Sequence, residues 1–547
     1  MARDWKVISV GQSDRNGGPF RPALDRRQFL RGVAATGAFA GAGSLLAACG
    51  GSSTSSSSAP ASTAQKPGGN LKVGLSGSSG VDTLDPHAGL TYLDTARAQS
   101  LYQPLLQLNN KAQTEFVLAE SIAPNKTTSE WIIKLRQGVT FHDGKPLTAD
   151  DVIYTFRRIK TGNKGGSFSG GDSLGPMDLK GLKALDAHTV RVPFTSPYGS
   201  FIEQLAYWYY LYIIPDGFNP AAGKPNGTGP FSYQSFTPQQ RSVFTKNKNY
   251  WKSGQPHVDT LTIIDFSDNT ALQNALTTGV IHGAGAFDGP ALAVLKTASG
   301  VKTIASHTGA ITPFTMRVDQ TPFSDVNVRQ AMRLLVGRQQ MINSGLDGYG
   351  VVASDVFSPY DPNFDHSLRR ETDIAQAKSL LKKAGHSNLT VTLTTSPAAT
   401  GMVSMATVLA EQAKAAGVTI KLNNVPPSTF FGKNYLQWTF SQDFYNFSPY
   451  LAQVAQSMLP TSPFNETHTN SPTLNKLYKQ ANATLSDSTR KQIVQEMQQF
   501  DFTQGGYIIP AFIDALDAYS DKVTGYVASA VGQPLSQFNF EDWAFTA

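Results

Sequence analysis

The chain contains a single cysteine, Cys49, among its 547 residues, so no disulfide bond can form within it. A fold of this length must therefore be held together by buried apolar cores rather than by covalent crosslinks. The hydrophobic fraction of 40% is enough to supply such cores. The part of the chain after residue 69 has about 480 residues, which suffices for two or three cores at about 100–200 residues per domain.

Cys49 ends the run Leu46–Cys49, which resembles the lipobox at which bacterial lipoproteins are acylated and cleaved. The upstream run DRRQFLR resembles a twin-arginine export signal, with Arg26 and Arg27 as its arginine pair. The uncharged Ala/Gly-rich stretch 32–48 has 17 residues, fewer than the ~20 that a membrane-spanning helix needs. The pattern predicts export and lipid anchoring through Cys49 on the extracytoplasmic face of a bacterial cell membrane. The alternative is a buried thiol behind a basic N-terminus.

Residues 1–48, the predicted signal peptide, hold seven basic and three acidic residues. Their removal lowers the net charge from +6 to +2, and the remaining Lys and Arg residues are scattered. No nucleic-acid partner is predicted, because such binding needs a basic patch or stripe. Residues 49–69 are rich in Ser, Gly, Ala and Pro, which predicts a flexible tether between the lipid and the globular part. No later stretch is long and apolar enough to cross a bilayer.

Strand and helix patterns alternate through the rest of the chain, which predicts an α/β fold. Residues 389–393 read as a strand, 402–416 as a helix that ends before Gly417, and 418–422 as the next strand. This order predicts a βαβ unit. Residues 131–135 read as another strand, followed by a helix from Asp151 with Thr148 as its N-cap. Residues 70–75 alternate like a half-buried strand.

The string WIIKLRQGVTFHDGKPLTADDVIYTFRRI, residues 131–159, resembles the signature of the family 5 extracellular solute-binding proteins. These are the oligopeptide-, dipeptide- and nickel-binding components of ABC importers. Further motifs follow in family order, and the resemblance covers about residues 68–547. These motifs are TLDPH at 83–87, GTGPF at 227–231, KN and YW at 246–251, PFSDV with VRQA at 322–331, and the helix at 373–385.

The resemblance implies a two-lobe periplasmic-binding-protein fold of type II, with a hinge between the lobes and the ligand enclosed in the cleft. Lobe one is expected to combine residues 70–310 with a return at 505–547, and to carry an extra subdomain at about 101–224. Lobe two is expected at 311–504. The implied function is the substrate-binding component of an ABC importer, a monomer that takes up a peptide or similarly sized solute and has no cofactor or metal. Its implied partners are the permease subunits and their ATPases.

The first predicted ligand contact is the loop Leu90, Thr91 and Tyr92. In peptide-binding members of the family this stretch pairs with the ligand backbone like an added strand. The alternative is an ordinary surface loop.

A second predicted contact is the strand that enters lobe two, on which Thr315 and Arg317 share one face. The family usually has an uncharged Asn where Arg317 falls. An arginine beside the cleft would bind a carboxylate or phosphate of the ligand in a fork. The alternative is an arginine paired with Asp319 or with another acid on the surface.

The third region, WTFSQDFYNFSPY at 438–450, lies where family members place ligand-contacting aromatic residues and the Asp that binds a peptide's α-amine. The family pattern Gly-Trp…Asp…Asp-Pro is lost here, and Asp443 is the one acid available, which puts free peptides in question. Aromatic walls suit sugars, rings or acyl groups, although such a stripe also fits an ordinary core. The predicted contacts are Trp438, Asp443, Phe444, Tyr445, Asn446 and Phe447, with Phe512 as a further aromatic contact.

No enzyme is predicted, because the sequence has no catalytic constellation. Gly77–Gly80 is one residue short of the Gly-x-Ser-x-Gly spacing, and the nine histidines include no His-Glu-x-x-His and no pair at i, i+4. Two alternatives to an importer component remain. One is a receptor that uses the same fold for signalling, and the other is a lipid-anchored hydrolase.

Overall fold

A computed structural model describes residues 65–77, 82–89, 91–162, 168–207, 210–220 and 224–547. The predicted signal peptide with Arg26, Arg27 and Cys49, most of the predicted tether, and Leu90 lie outside the described residues. Within the described ranges, no helix has the length and apolar character needed to cross a membrane.

Lobe one is built on an eight-stranded mixed sheet. Its strand Asn70–Ser76 runs parallel to both of its neighbours. The predicted strand is confirmed, with Leu71, Val73 and Leu75 buried as the alternation predicts. Gly74 departs from the alternation because it is buried as well, and a Cβ added there would lie within 2.8 Å of three apolar side chains. In spatial order the strands are Phe231–Thr237, Arg241–Lys246, Thr260–Phe266, Asn70–Ser76, Gly283–Ala284, Ala511–Ser520 and Val301–Ile311, and Gly350–Val352 pairs with Ala511–Ser520. The helices of lobe one are Tyr92–Leu101, Asn269–Thr277 and Gly289–Leu295.

The subdomain of lobe one has an antiparallel four-stranded sheet and a core of its own around Trp131, which is fully buried. The predicted helix covers this sheet and begins at Ala149, two residues before the predicted start. Thr148 and Asp151 form a capping box that satisfies its first amides. The strands are Ala119–Pro124, Glu130–Leu135, Thr189–Pro193 and Lys183–Asp186, and the helices are Ala149–Thr161 and Phe201–Tyr207.

Lobe two contains the predicted βαβ unit, so that prediction is confirmed. Thr390–Thr395 and Thr419–Asn424 are parallel strands joined by the helix Met402–Ala413, and Gly417 has a left-handed φ of 80° at the end of the following 3₁₀ turn. A three-stranded antiparallel sheet, in the order Phe440–Gln442, Phe314–Met316, Tyr507–Ile508, completes the lobe. Its other helices are Val326–Leu334, Arg338–Gly345, Ile374–Lys383, Pro427–Phe430, Tyr450–Ser457, Pro472–Ala483 and Asp487–Gln504.

The chain crosses between the lobes twice. The first crossing leaves the lobe-one sheet at Ile311 and enters the lobe-two sheet at Phe314, close to the predicted boundary. The second crossing lies after Ile508 rather than at the predicted residue 505, because Tyr507 still pairs with Thr315 in the lobe-two sheet.

The predicted tether ends before residue 69. Gln65–Lys66 pairs with Ala544–Thr546, which in turn pairs with Val523–Thr524. The Gly68 amide donates to the carbonyl of His257 at 2.8 Å. These contacts make residues 65–69 part of lobe one. Two further short pairs are Gln103–Pro104 with Tyr212–Ile213 and Leu106–Leu108 with Thr114–Phe116.

Candidate ligand-binding groove

A groove of about 520 Å³ lies between the two lobes. This volume is in the range of small-molecule sites. Lobe one lines it with Asn269, Asp288, Gly289, Pro290, Ile513, Asp514 and Leu516, and lobe two with Gly345, Leu346, Asp347, Tyr349, Pro397 and residues 399–404.

The lining of the groove carries three carboxylates and no Lys or Arg among the described residues. Asp288 caps the helix Gly289–Leu295 and accepts from the Ala291 amide at 2.9 Å. Asp514 is 4% exposed and accepts from His307 Nδ1 at 2.8 Å, and burial raises its pKa. Asp347 of lobe two is in direct contact with Gly289 of lobe one, because a Cβ built on Gly289 would lie only 2.4 Å from Asp347 Cβ. The two lobes therefore touch at the groove.

Unpaired polar atoms lie beside the groove in lobe two. The Thr395 hydroxyl donates to Gln442 Oε1 at 2.6 Å, while Gln442 Nε2 has no hydrogen-bond partner in the described part of the chain. Ser396 Oγ also has none, and Ser396 directly precedes Pro397 of the groove. Buried polar groups normally find partners, so these two atoms offer a donor and a hydroxyl to a ligand or to water.

Sequence reasoning did not identify the groove, because none of the predicted contact residues lines it. Its residues come from five separate stretches that carry no shared motif. The one available signal was the βαβ unit, since the loop before its helix, Pro397–Gly401, supplies the lobe-two wall.

The predicted contacts Thr91 and Tyr92 begin a helix rather than forming an extended strand. Thr91 is the N-cap of Tyr92–Leu101, and its amide donates to Asp94 Oδ2 at 3.2 Å. Thr91 itself keeps an extended backbone, with φ −110° and ψ 163°, and the contact of these two residues with a ligand stays a prediction. Tyr92 nonetheless lies at the junction of the lobes, where its hydroxyl donates to Asn446 Oδ1 at 3.4 Å.

Tyr445, Asn446 and Phe447 also lie at the junction, where they connect lobe two to the rest of the molecule. The Tyr445 and Ile311 backbones bond reciprocally at 2.9 Å, and the Phe447 amide donates to the carbonyl of Val531 at 2.8 Å. Tyr445 and Phe447 are buried. Asn446 is the partly exposed member and therefore the one most open to a ligand.

Arg317 forms the ion pair with Asp319 that the sequence left as an alternative. Its Nε and Nη2 donate to the two oxygens of Asp319 at 2.9 and 2.6 Å, and Nη1 donates to Gln437 Oε1 at 3.1 Å. The guanidinium is thus used within lobe two. Thr315, on the same strand, is fully buried, and its hydroxyl contacts that of Ser441 at 2.8 Å.

Phe512 is a core residue at the hinge. It stands opposite Ile311 and Val351 in the sheet and is 6% exposed, packed in an apolar cluster. Its side chain packs within this apolar cluster and is not among the residues that line the groove, so its contact with a ligand stays a prediction.

Trp438 and Phe444 belong to a partly exposed group of aromatic side chains, the aromatic edge, in which Phe430 is buried. Trp438 donates to the carbonyl of Phe430 at 3.2 Å, and Phe431 contacts the rings of Tyr435 and Phe444. Phe431 and Phe444 are 38% and 43% exposed. The aromatic edge consists of Phe430, Phe431, Tyr435, Trp438 and Phe444. Of these five residues, only Trp438 and Phe444 were predicted as ligand contacts. The adjacent aromatic residues Phe430 and Phe431 were visible in the sequence as a signal.

Asp443 is buried and has a second acid as its neighbour, Glu466. The Tyr435 hydroxyl donates to Asp443 Oδ2 at 2.7 Å, and the Phe444 amide donates to Oδ1 at 2.8 Å. The Tyr445 hydroxyl donates to Glu466 Oε1 at 2.7 Å. Burial raises the pKa of both carboxyls, and the charge of Asp443 further raises that of Glu466. Glu466 carried no sequence signal.

A second contact between the lobes lies at the subdomain. The Gly199 amide and the Thr128 hydroxyl donate to the Asn482 carbonyl at 2.9 and 2.7 Å. Nearby, Arg490 pairs with Glu203 at 3.2 Å. Burial, only partly offset by Arg490, raises the pKa of Glu203 to about 7. Lobe two is therefore bound to the subdomain as well as to the main sheet.

No group of three or more His, Cys, Asp or Glu side chains in the described ranges is arranged to hold a metal ion. The described residues thus offer no preformed protein-built metal centre.

Comparison with known proteins places these features in context. The model of the bacterial extracellular solute-binding proteins, family 5 Middle, matches residues 114–475. The glutathione-binding protein GsiB of Escherichia coli strain 536 is 27% identical over 321 residues, which are 57% of this chain and 60% of that protein. GsiB of Pectobacterium atrosepticum is 24% identical over 483 residues, 84% of this chain and 91% of that protein. The binding protein DppA of Helicobacter pylori, solved with the peptide STSA, is 19% identical and has the same fold, with a TM-score of 0.75 over 88% of this chain and 99% of that one.

Proposed function

The chain belongs to the bacterial extracellular solute-binding proteins of family 5, and from this membership we propose that it captures a peptide or similarly sized solute and delivers it to an ABC permease. The observation that carries the proposal is the groove of about 520 Å³ lined from both lobes. Ligand held between two lobes makes contacts with both only when they are closed, and so favours the closed form by its differential affinity.

The ligand we propose carries a positive charge. Asp288, Asp347 and Asp514 line the groove, and no basic side chain is among its described residues. The sequence suggested an anionic ligand because of Arg317, but the Arg317 guanidinium is paired with Asp319. The proposal of a positively charged ligand replaces that suggestion. Ser396 and Gln442 would add neutral hydrogen bonds. The peptide-related names of the relatives, glutathione for GsiB and STSA for DppA, support a ligand with an amine.

We propose that the protein acts as a monomer, held by a lipid on Cys49 at the extracytoplasmic face of the cell membrane. The lipobox-like run and the twin-arginine-like run support this placement. No covalent chemistry is assigned to the groove, because its described residues include no nucleophile with an adjacent base.

Native mass spectrometry of the chain that begins at residue 49 tests the proposal. We expect a small solute to co-purify and to raise the melting temperature when added back, since ligand at 100 times Kd adds ~2.7 kcal/mol of stability. Thr400→Trp should abolish co-purification, because Thr400 is exposed and lines the groove.

Thr407→Trp is the matched control, since Thr407 is exposed on the helix that follows Thr400 but does not line the groove. Equal occupancy of the two variants would place the ligand elsewhere. A bound series of peptides would support the peptide assignment, and a bound non-peptide would replace it.

A further inference from the structure

Asp514 differs from the other two carboxylates of the groove in its burial and in its partner. Asp514 is buried, whereas Asp288 and Asp347 are exposed. Charges interact most strongly where water is excluded, so Asp514 is the acid of the groove that attracts a cation most strongly. His307 Nδ1 lies 2.8 Å from Asp514 Oδ1. An ionised carboxylate only accepts hydrogen bonds, so Nδ1 carries the hydrogen and Asp514 is already engaged by an imidazole.

A bulge in the lobe-one sheet places the imidazole at this position. Residues 307–309 of the strand Val301–Ile311 stand opposite Asp514 alone, because the register of the pair shifts there. The buried Thr308 hydroxyl fixes the bulge by donating to the carbonyl of Ile513 at 2.5 Å. Bulges commonly redirect a side chain next to a functional site. Here the first side chain of the bulge is directed onto the buried acid of the groove.

Tyr360 of lobe two contacts the same bulge. Its hydroxyl donates to the carbonyl of His307 at 3.1 Å, and its ring packs edge-on against Phe447 at the junction of the lobes. The His307 backbone is therefore held from both lobes. Its side chain is 67% exposed, against 4% for the side chain of Asp514. The imidazole can thus rotate into solvent while the bulge and the acid stay in place.

The titratable groups that face His307 come from two elements. Asp514 lies on the neighbouring strand and Tyr360 comes from lobe two, while Asp288 and Asp347 line the same groove. Burial raises the pKa of Tyr360, so its hydroxyl stays a donor. Burial also raises the pKa of Asp514, and the hydrogen bond from His307 opposes that shift. His307 therefore controls how much negative charge Asp514 presents to the groove.

We propose that His307 regulates the groove by competing with the cationic group of the ligand for Asp514. In the empty protein the imidazole occupies Asp514, and an ammonium or guanidinium group of the ligand displaces it into solvent. The inference rests on the proposed function and adds His307 as a residue that acts through Asp514. When His307 is protonated, one N–H bond of the imidazolium breaks and its proton goes to solvent as the ligand cation enters, so charge is conserved. No other covalent bond changes.

The competition makes binding depend on pH. Histidine is the side chain that ordinarily changes its charge between pH 5 and pH 8. A protonated imidazole is attracted more strongly to Asp514 and repels a second cation beside it. Affinity for a cationic ligand should therefore fall as the pH falls. By linkage, a bound cation must make His307 harder to protonate to the same degree.

The test measures the affinity of the full chain for two probes at pH 8 and pH 5.5. The first probe is an equimolar mixture of tripeptides with a central arginine, acetylated and amidated at their ends. The second has neutral citrulline in place of the arginine. Arginine keeps its charge over this range, so neither probe titrates. We expect the arginine mixture to bind the wild type at least fivefold more weakly at pH 5.5 than at pH 8, and the citrulline mixture to bind at least tenfold more weakly than the arginine mixture at pH 8.

Three variants separate the charge of His307 from its bulk. His307→Gln keeps a neutral donor and cannot be protonated, so it should bind the arginine mixture like the wild type at pH 8 and lose the pH dependence. His307→Lys carries a permanent charge and should bind at least fivefold more weakly than the wild type at pH 8, with no further loss at pH 5.5. His366→Gln is the matched control, because His366 is exposed and does not line the groove. It should keep the pH dependence of the wild type.

Histidine-labelled protein provides a second readout by NMR. The His307 signal, assigned by its loss in His307→Gln, should titrate at lower pH when the arginine mixture is bound. The size of that change must match the pH dependence of the affinity.

A His307→Gln variant that keeps the pH dependence, or a His307→Lys variant with wild-type affinity, overturns the inference and leaves the importer function standing. Equal binding of both mixtures to the wild type, or no binding of either, overturns the cationic ligand class and the inference with it. The native mass measurement then decides the importer function on its own. If Thr400→Trp binds the arginine mixture like the wild type, the groove assignment fails and the inference fails with it.

Discussion

Ser200 of the subdomain donates both its amide and its hydroxyl to the side-chain oxygen of Asn482 in lobe two, at 2.9 and 2.8 Å. Asn482 is 2% exposed, and Ser200 is fully buried. One residue of lobe two thus satisfies several polar groups of the subdomain. When the lobes separate, those groups must find water instead, so Asn482 stabilises the arrangement in which the lobes touch.

Asn482→Ala should favour separation of the lobes. The Ser200 amide and hydroxyl lose their acceptor, and leaving buried donors unsatisfied costs about 1–3 kcal/mol. We expect a larger radius of gyration by small-angle X-ray scattering and a lower melting temperature. Gln480→Ala, an exposed change on the same helix, is the control. An unchanged radius in Asn482→Ala would mean that other contacts set the lobe arrangement.

Glu203→Gln should remove a pH dependence of stability. The pKa of Glu203 is raised from 4.5 to about 7 by burial, so the folded protein binds its proton more tightly than the unfolded chain does. Stability of the wild type therefore falls as the pH rises from about 4.5 to about 7, on the order of 1–3 kcal/mol from this group. Denaturant unfolding at pH 5 and pH 8 measures the effect. The variant should lose less stability over this range than the wild type, and an identical loss would contradict the prediction.

Cys49→Ser should release the protein from the membrane. Without the thiol no lipid can be attached, and a polar tether alone has little affinity for a bilayer. Fractionation of cells that express the full chain should find the wild type with membranes and the variant in the soluble extracytoplasmic fraction. Cys49→Ser that remains in the membrane fraction would show that another feature anchors the chain.

Local signals made the βαβ unit of lobe two predictable. The helix Met402–Ala413 and its neighbouring strands are defined by periodicity, and Gly417 provides the left-handed residue that ends the turn. The capping box at Thr148 was likewise visible within four residues. Features of this kind need no knowledge of the rest of the chain.

The groove and the acid pair were not predictable in the same way. Asp288, Asp347 and Asp514 are far apart in sequence and meet only through the packing of the two lobes. Glu466 lies buried near Asp443, and no motif encodes this proximity. The sequence left two possible partners for the Arg317 guanidinium, an anionic ligand and Asp319. Only the side-chain geometry shows that Arg317 is paired with Asp319.

Arg317→Ala should lower stability and leave ligand affinity unchanged. The guanidinium forms a two-point contact with Asp319, and Asp319 is 41% exposed, so the pair contributes about 0.2–1 kcal/mol. The side chain of Arg317 is 8% exposed and lies outside the groove. The measurement is a double-mutant cycle with Asp319→Ala by denaturant unfolding, together with binding of the co-purified solute. A coupling energy near zero would contradict the structural role, whereas a loss of affinity in Arg317→Ala alone, with Asp319→Ala unaffected, would restore the anionic-ligand interpretation.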